Sequence, residues 1–219
     1  MIPLKRLTAI AAPLIRDDIN TDVIIPSREM KRVSRKGLAD GLFADWRYTA
    51  IGDRRPAPGF VLNDPEMAGA QILVTGRNFG CGSSREHAAW ALHEYGFRAI
   101  VAESFNPIFR NNAILNGMVP VSLPRAAIEC ISGELADGKA HLMSVDLDAM
   151  TVSLPSGKSY AFTLDDEARQ MLREGLDSID LTLLRSDEIN GFRAADRIRR
   201  PWAYGPALAT DLLGRDDHV

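Results

Sequence analysis

One stretch constrains this chain more than any other: an apolar strand, a glycine-rich turn and a helix start in immediate succession. Gln71-Ile72-Leu73-Val74-Thr75 is β-branched and bounded by glycines, which reads as a buried strand. Ala88-Ala89-Trp90-Ala91-Leu92-His93-Glu94-Tyr95 is rich in helix formers and stops at Gly96. Between them lies Gly76-Arg77-Asn78-Phe79-Gly80-Cys81-Gly82-Ser83-Ser84-Arg85-Glu86-His87. Ser83 or Ser84 is expected to cap the helix, and Glu86 stands three residues after Ser83 as in a capping box. The pattern continues with a strand over 98–103 and a helix capped by Ser104, with Pro107 in its first turn and Asn116-Gly117 closing it. A further strand follows at 118–121. This β-α-β-α-β order predicts an α/β fold with parallel strands covered by helices. A ligand site then belongs at the carboxyl ends of the strands, where Ser83 falls.

The turn has a chemical consequence. The first turn of a helix leaves amide N–H groups without partners and carries partial positive charge. Glycines at 80 and 82 let a ligand approach the backbone. Arg85 adds a guanidinium fork suited to a carboxylate or phosphate. The result is an anion site with two serine hydroxyls in it. Known glycine motifs do not fit. A Walker A loop needs lysine where Ser83 stands, a dinucleotide fingerprint needs glycine where Arg85 stands, and a nucleophile elbow needs a glycine after Ser84 that is missing.

Elsewhere the pattern is less constraining. Residues 7–15 are apolar with Pro13 among them, which predicts an edge strand. Val23-Ile24-Ile25 reads as a short strand ended by Pro26, and another strand is expected near 60–62. Segments 141–147, 150–154 and 159–163 alternate, with Pro155-Ser156-Gly157-Lys158 as a hairpin turn. Helices are expected over 125–138, 165–174 and 187–198, the last capped by Ser186. No repeat or linker divides the chain, so residues 1–219 are expected to form one domain, with a tail from about 199.

Composition narrows the partners. A net charge of −3 gives no reason to expect nucleic acid or an anionic membrane. No apolar run approaches the ~20 residues of a membrane span. Met1–Arg6 is not followed by a secretory apolar region, and a cytoplasmic protein is expected. The four histidines, at 87, 93, 141 and 218, show no metal-ligand spacing. The two cysteines, Cys81 and Cys130, argue against a disulfide framework.

Phe79-Gly80-Cys81-Gly82-Ser83-Ser84-Arg85-Glu86-His87-Ala88 closely resembles the small subunits of 3-isopropylmalate dehydratase, in the aconitase superfamily of hydro-lyases. Asn20-Thr21-Asp22-Val23-Ile24-Ile25-Pro26, Leu42–Arg47, Phe105–Phe109 and Gly175–Ile179 match in the same order and span most of the chain. The resemblance implies a swivelling β/β/α domain with a partly parallel sheet flanked by helices. It implies that Ser83, as an alkoxide, takes the substrate proton, and that Ser84 and Arg85 hold a substrate carboxylate beside the backbone of Gly80 and Gly82. The basic segment 27–37 corresponds to a mobile loop in which Arg35, and after it Arg32, is the match for an arginine that reaches the substrate. Such enzymes hold a 4Fe-4S cluster through three cysteine thiolates, more than this chain has. The cluster is therefore expected on a separate large subunit, with none on this chain and no metal site here. Position 29–30 departs from the family pattern: Glu29-Met30 stands where an aromatic–leucine pair is usual. That leaves another alkylmalate, such as a methylmalate or dimethylmalate, as an alternative substrate. A non-enzymatic anion-binding module is the alternative of another class.

Overall fold

The structure, a computed structural model, describes residues 1–30, 36–82, 85–136 and 141–204. By its internal contacts the chain forms two compact units, Met1–Ser178 and Ile179–Val219.

In order, the elements are β1 (Arg6–Leu14), α1 (Thr21–Ile24), α2 (Ala44–Arg47), β2 (Ile72–Thr75), α3 (Glu86–Tyr95), β3 (Ala99–Ala102), α4 (Pro107–Leu115), β4 (Val119–Ser122), α5 (Arg125–Ala136), β5 (Leu142–Asp146), β6 (Thr151–Ser153), β7 (Ser159–Ala161), α6 (Asp166–Glu174), α7 (Ser178–Leu183) and α8 (Ser186–Arg199). The strands form one sheet in the order β4-β3-β2-β1-β5-β6-β7. β1 to β4 pair in parallel, and β1, β5, β6 and β7 pair antiparallel. This is the expected α/β fold with a partly parallel sheet.

Every residue of β2 and β3 is buried, because helices and loops cover both faces of the parallel half. Ile72 and Val74 face a core shared with Ile128, Ile131 and Leu135 of α5. Leu73 faces the opposite core, built with Ala88, Ala89, Ala91 and Leu92 of α3 and Phe109 of α4. A continuous apolar run with no alternation is what such a position requires.

Four expectations need correction. β1 is central, not an edge strand. Its ladder to β5 ends at the pair Ile10–Leu142, so the missing N–H of Pro13 lies past the end of that ladder, while Pro13 stays in register with Val74 of β2. Val23-Ile24-Ile25 is not a strand. The Asn20 side chain accepts from the Val23 N–H at 2.8 Å and nucleates the short helix α1. Near 60–62 a 3-10 turn, Val61–Asn63, replaces the expected strand. Finally, α4 is capped by Asn106 rather than Ser104: its Oδ1 accepts from the N–H of Ile108 at 3.0 Å and of Phe109 at 3.4 Å, and Pro107 opens the helix. Ser104 Oγ instead accepts from the Asn78 N–H at 2.8 Å.

Within the second unit, α8 ends on a charge knot. Asp196 is 3% exposed, and its carboxylate accepts from Arg200 Nε and Nη2, each at 2.7 Å, and from the Tyr204 hydroxyl at 2.9 Å. Hydrogen bonds from Arg200 first, then from Tyr204 and Arg199, hold its carboxyl at about 2. The folded value lies below the unfolded value of about 4, so this knot stabilises the unit above about pH 4. The contribution is lost as pH falls from there through about 2. Amide exchange across 196–204 should therefore quicken in that acid window. Asp196→Asn should exchange fast already at neutral pH, with the acid step gone. Identical exchange in the two proteins would show that the knot holds nothing.

Candidate active site

The glycine-rich turn leaves the carboxyl end of β2 and is stitched on two sides. On one side Phe79 N–H donates to Ser104 O at 3.0 Å and Asn106 N–H donates to Phe79 O at 2.9 Å. The buried Phe79 ring meets Phe109 edge-on at 5.1 Å and Phe105 at 6.3 Å. On the other side Gly80 N–H donates to Ile19 O at 2.8 Å and Thr21 N–H donates to Cys81 O at 2.9 Å. Three separate sequence pieces, 19–22, 79–82 and 104–109, thus make one framework.

The two glycines have different reasons. Gly80 has φ +75°, and a Cβ there would lie 2.2 Å from Phe109 Cγ. Its own amide is already bonded to Ile19, so position 80 supplies close approach rather than an N–H for an anion. Gly82 has φ +89°, and a Cβ there would meet Asn20 Cβ at 3.3 Å and Thr21 Oγ1 at 3.7 Å.

Arg85 stands at the N-cap position of α3 with φ −108° and ψ 110°. Its Nη1 lies 2.7 Å from Asp22 Oδ1, with the arginine side chain 29% exposed. Asp22 sits in the first turn of α1, directly after the residues stitched to Gly80 and Cys81. A guanidinium carries five N–H donors in a plane, and here one carboxylate oxygen sits beside Nη1 as an ion pair without the geometry of a hydrogen bond. Reading the sequence alone did not assign Asp22 to the site. The signal was present, since Asn20-Thr21-Asp22 is among the pieces that resemble the family.

The expected capping box places Ser83 at the N-cap. α3 instead begins at Glu86 with Arg85 at the N-cap position, and the Arg85 side chain caps nothing. Glu86 is then the first helical residue rather than the third, and its carboxylate accepts from Trp90 Nε1 at 3.1 Å. Ser83 and Ser84, which follow Gly82 in the chain, lie outside the described residues, as do Arg32 and Arg35.

The described ends of the 27–37 segment are anchored. Glu94, in the last turn of α3, accepts from the backbone N–H of Gly37 at 2.6 Å, Leu38 at 2.5 Å and Ala39 at 3.0 Å. The helix that starts at the turn therefore also holds the backbone that follows Arg35. Glu29 lies 2.6 Å from Arg54 Nη2 and 3.5 Å from Arg28 Nε, and Met30 packs against the core. The Glu29-Met30 pair makes internal contacts, so exchanging it for an aromatic–leucine pair disturbs packing and is not a clean test of substrate choice. Glu94→Ala leaves three amides to be solvated. It should lower stability by about 1 kcal/mol and accelerate exchange of the 37–39 amides. Unchanged exchange there would mean the anchor is idle.

Among the described residues, no group of three His, Cys, Asp or Glu side chains is placed to hold a metal ion. At Cys81 burial, and then the Asp18 carboxylate, push the thiol up. Cys130 lies on α5, away in sequence and on another element. A cluster needing three cysteine thiolates does not fit this chain. Asp17 has the opposite electrostatics, because the Arg77 backbone N–H holds its carboxyl below the usual range, with Arg125 at 3.0 Å adding to the effect after the cost of burial. His87 lies against Trp90, with ring centroids 4.6 Å apart, which suits packing.

The family model for the aconitase C-terminal domain matches residues 1–126, the span from β1 to the start of α5 that carries this whole framework. The 3-isopropylmalate dehydratase small subunit of Cupriavidus necator is 56% identical over 205 residues, covering 93% of this chain and 99% of that protein. This chain belongs to the 3-isopropylmalate dehydratase small-subunit family. The small subunit of Neisseria meningitidis serogroup C is 42% identical over 211 residues, again 93% of this chain and 99% of the relative. Among solved structures, the 3-isopropylmalate dehydratase of Methanocaldococcus jannaschii superposes with a TM-score of 0.60 at 26% identity, covering 86% of this chain and 99% of that one. The Gly80 and Gly82 positions, Asn106 and the Asn20–Asp22 segment are parts of one turn-holding framework. No helix among the described residues is long and apolar enough to cross a membrane.

Proposed function

We propose that the chain is the small subunit of a two-chain hydro-lyase that interconverts 2-isopropylmalate and 3-isopropylmalate in leucine biosynthesis. The observation that carries this reading is Arg85 held by Asp22 at the end of a glycine turn that both neighbouring segments stitch in place. Arg85 binds one carboxylate of the dicarboxylate substrate, and Ser84 adds a hydrogen bond to it. The proton on the carbon beside that carboxylate passes to the Ser83 oxygen, while the hydroxyl on the adjacent carbon takes a proton delivered from solvent and leaves as water. Rehydration at the other carbon completes the exchange. A serine hydroxyl is a weak acid, and the nearby guanidinium and helix start favour its ionised form. Arg35, or Arg32 next, reaches the substrate from the 27–37 segment. The iron–sulfur cluster belongs to the large subunit. Residues 1–219 act as one swivelling domain in the cytoplasm, with no nucleic acid or membrane partner.

The deciding experiment is co-expression with a cluster-bearing large subunit and assay of the purified complex on both isopropylmalates and on methyl- and dimethylmalates. Conversion of either isopropylmalate into the other is the expected result. Turnover of only another alkylmalate would move the substrate assignment. No turnover of any, by a complex with its cluster verified, would leave an anion-binding module. The isolated chain should retain no stoichiometric iron after anaerobic reconstitution. A full cluster on this chain alone would overturn the two-chain reading.

A further inference from the structure

Away from the turn, a second chemical cluster joins α5 to the β6–β7 hairpin. Ile128 and Ile131 of α5 are buried in the core, which leaves Cys130 between them at the partly exposed edge of the helix. Lys158, closing the hairpin turn, brings Nζ to 3.2 Å from Cys130 Sγ and 2.7 Å from Glu134 Oε1. Tyr160, on β7, lies in the same hairpin. The hairpin thus brings an ammonium onto the thiol, and Glu134, one helical turn on, fixes that ammonium between carboxylate and sulfur. Neither the proposed serine base nor the arginine clamp uses any of these groups.

We propose that Cys130 is a thiol–disulfide exchange site for low-molecular-weight disulfides, with Lys158 stabilising the attacking thiolate. The thiolate attacks one sulfur of the disulfide, the S–S bond breaks, and the electron pair leaves with the second sulfur, which takes a proton from solvent. The protein sulfur ends in a mixed disulfide, and one half of the small disulfide is reduced to thiol. The charge pattern agrees with the geometry: the Tyr160 hydroxyl, and after it the Lys158 ammonium, draw the Cys130 thiol below its ordinary value, against the opposing effects of burial and of Glu134. Cys81 supplies an internal contrast, since burial and then the Asp18 carboxylate push its thiol up.

The full chain, treated with glutathione disulfide at pH 7 and mapped by mass spectrometry, should carry the adduct at Cys130, formed roughly tenfold faster than at Cys81. Lys158→Met should slow Cys130 several-fold and move the midpoint of its pH–rate profile upward, leaving the Cys81 rate alone. Lys158→Arg should restore part of the rate. Lys158 is 54% exposed, and circular dichroism checks that each variant folds. Modification of Cys81 at an equal or greater rate, or an unmoved Cys130 midpoint in folded Lys158→Met, would overturn the assignment.

Discussion

Ser83→Ala in the assembled two-chain enzyme is expected to lose about 10²–10⁴-fold in kcat, the usual cost of removing a general base. KM should move much less, because the substrate carboxylate still has Arg85 and the turn. That split separates a proton acceptor from a binding group: a residue that only holds substrate in ground and transition state alike raises KM and leaves kcat. The variant should assemble normally, since the change removes one oxygen and no core volume. Ser84→Ala is the control, with its larger effect on KM. If Ser83→Ala kept near-normal kcat in a verified complex, the base would have to be sought on the large subunit.

The parallel half of the fold was legible because it obeys local rules. β2 is a short apolar run, Gly76 to Gly82 break it, and α3 is full of alanine and leucine before Gly96. Those signals are independent of distant residues. Pro13 misled for a non-local reason: whether its missing N–H matters depends on where β5 ends, which no pattern around residue 13 reveals. Val23-Ile24-Ile25 misled because three β-branched residues outweigh helix propensity on paper, whereas one side-chain acceptor on Asn20 decides the real conformation. The site was legible in the same uneven way. Ser83, Ser84 and Arg85 announce themselves through the glycines beside them. Asp22 does not, because its pairing with Arg85 spans sixty-odd residues and exists only once the 19–22 segment is stitched to the turn. Glu94 is similar: a helix-end carboxylate looks solvated until the backbone of 37–39 arrives.

Arg85→Lys should raise KM strongly in the assembled enzyme, because a lysine keeps the charge and loses the planar fork that grips a carboxylate at two points. A hydrogen bond to a charged group contributes about 1.5–3 kcal/mol, so kcat/KM should fall roughly ten- to hundredfold. Some of that loss should appear in kcat if the guanidinium also favours the ionised form of Ser83. Asp22 tests how the fork is aimed. It lies 2.7 Å from Nη1 of Arg85, so Asp22→Asn leaves the clamp charged but loosely oriented, and a smaller rise in KM is expected. If Asp22 acts through Arg85, the two losses cannot add: once the fork is gone, there is nothing left for Asp22 to aim. The double variant should therefore resemble Arg85→Lys alone. Fully additive losses would mean that Asp22 meets the substrate or the large subunit by itself, and that its ion pair with Arg85 is incidental to catalysis.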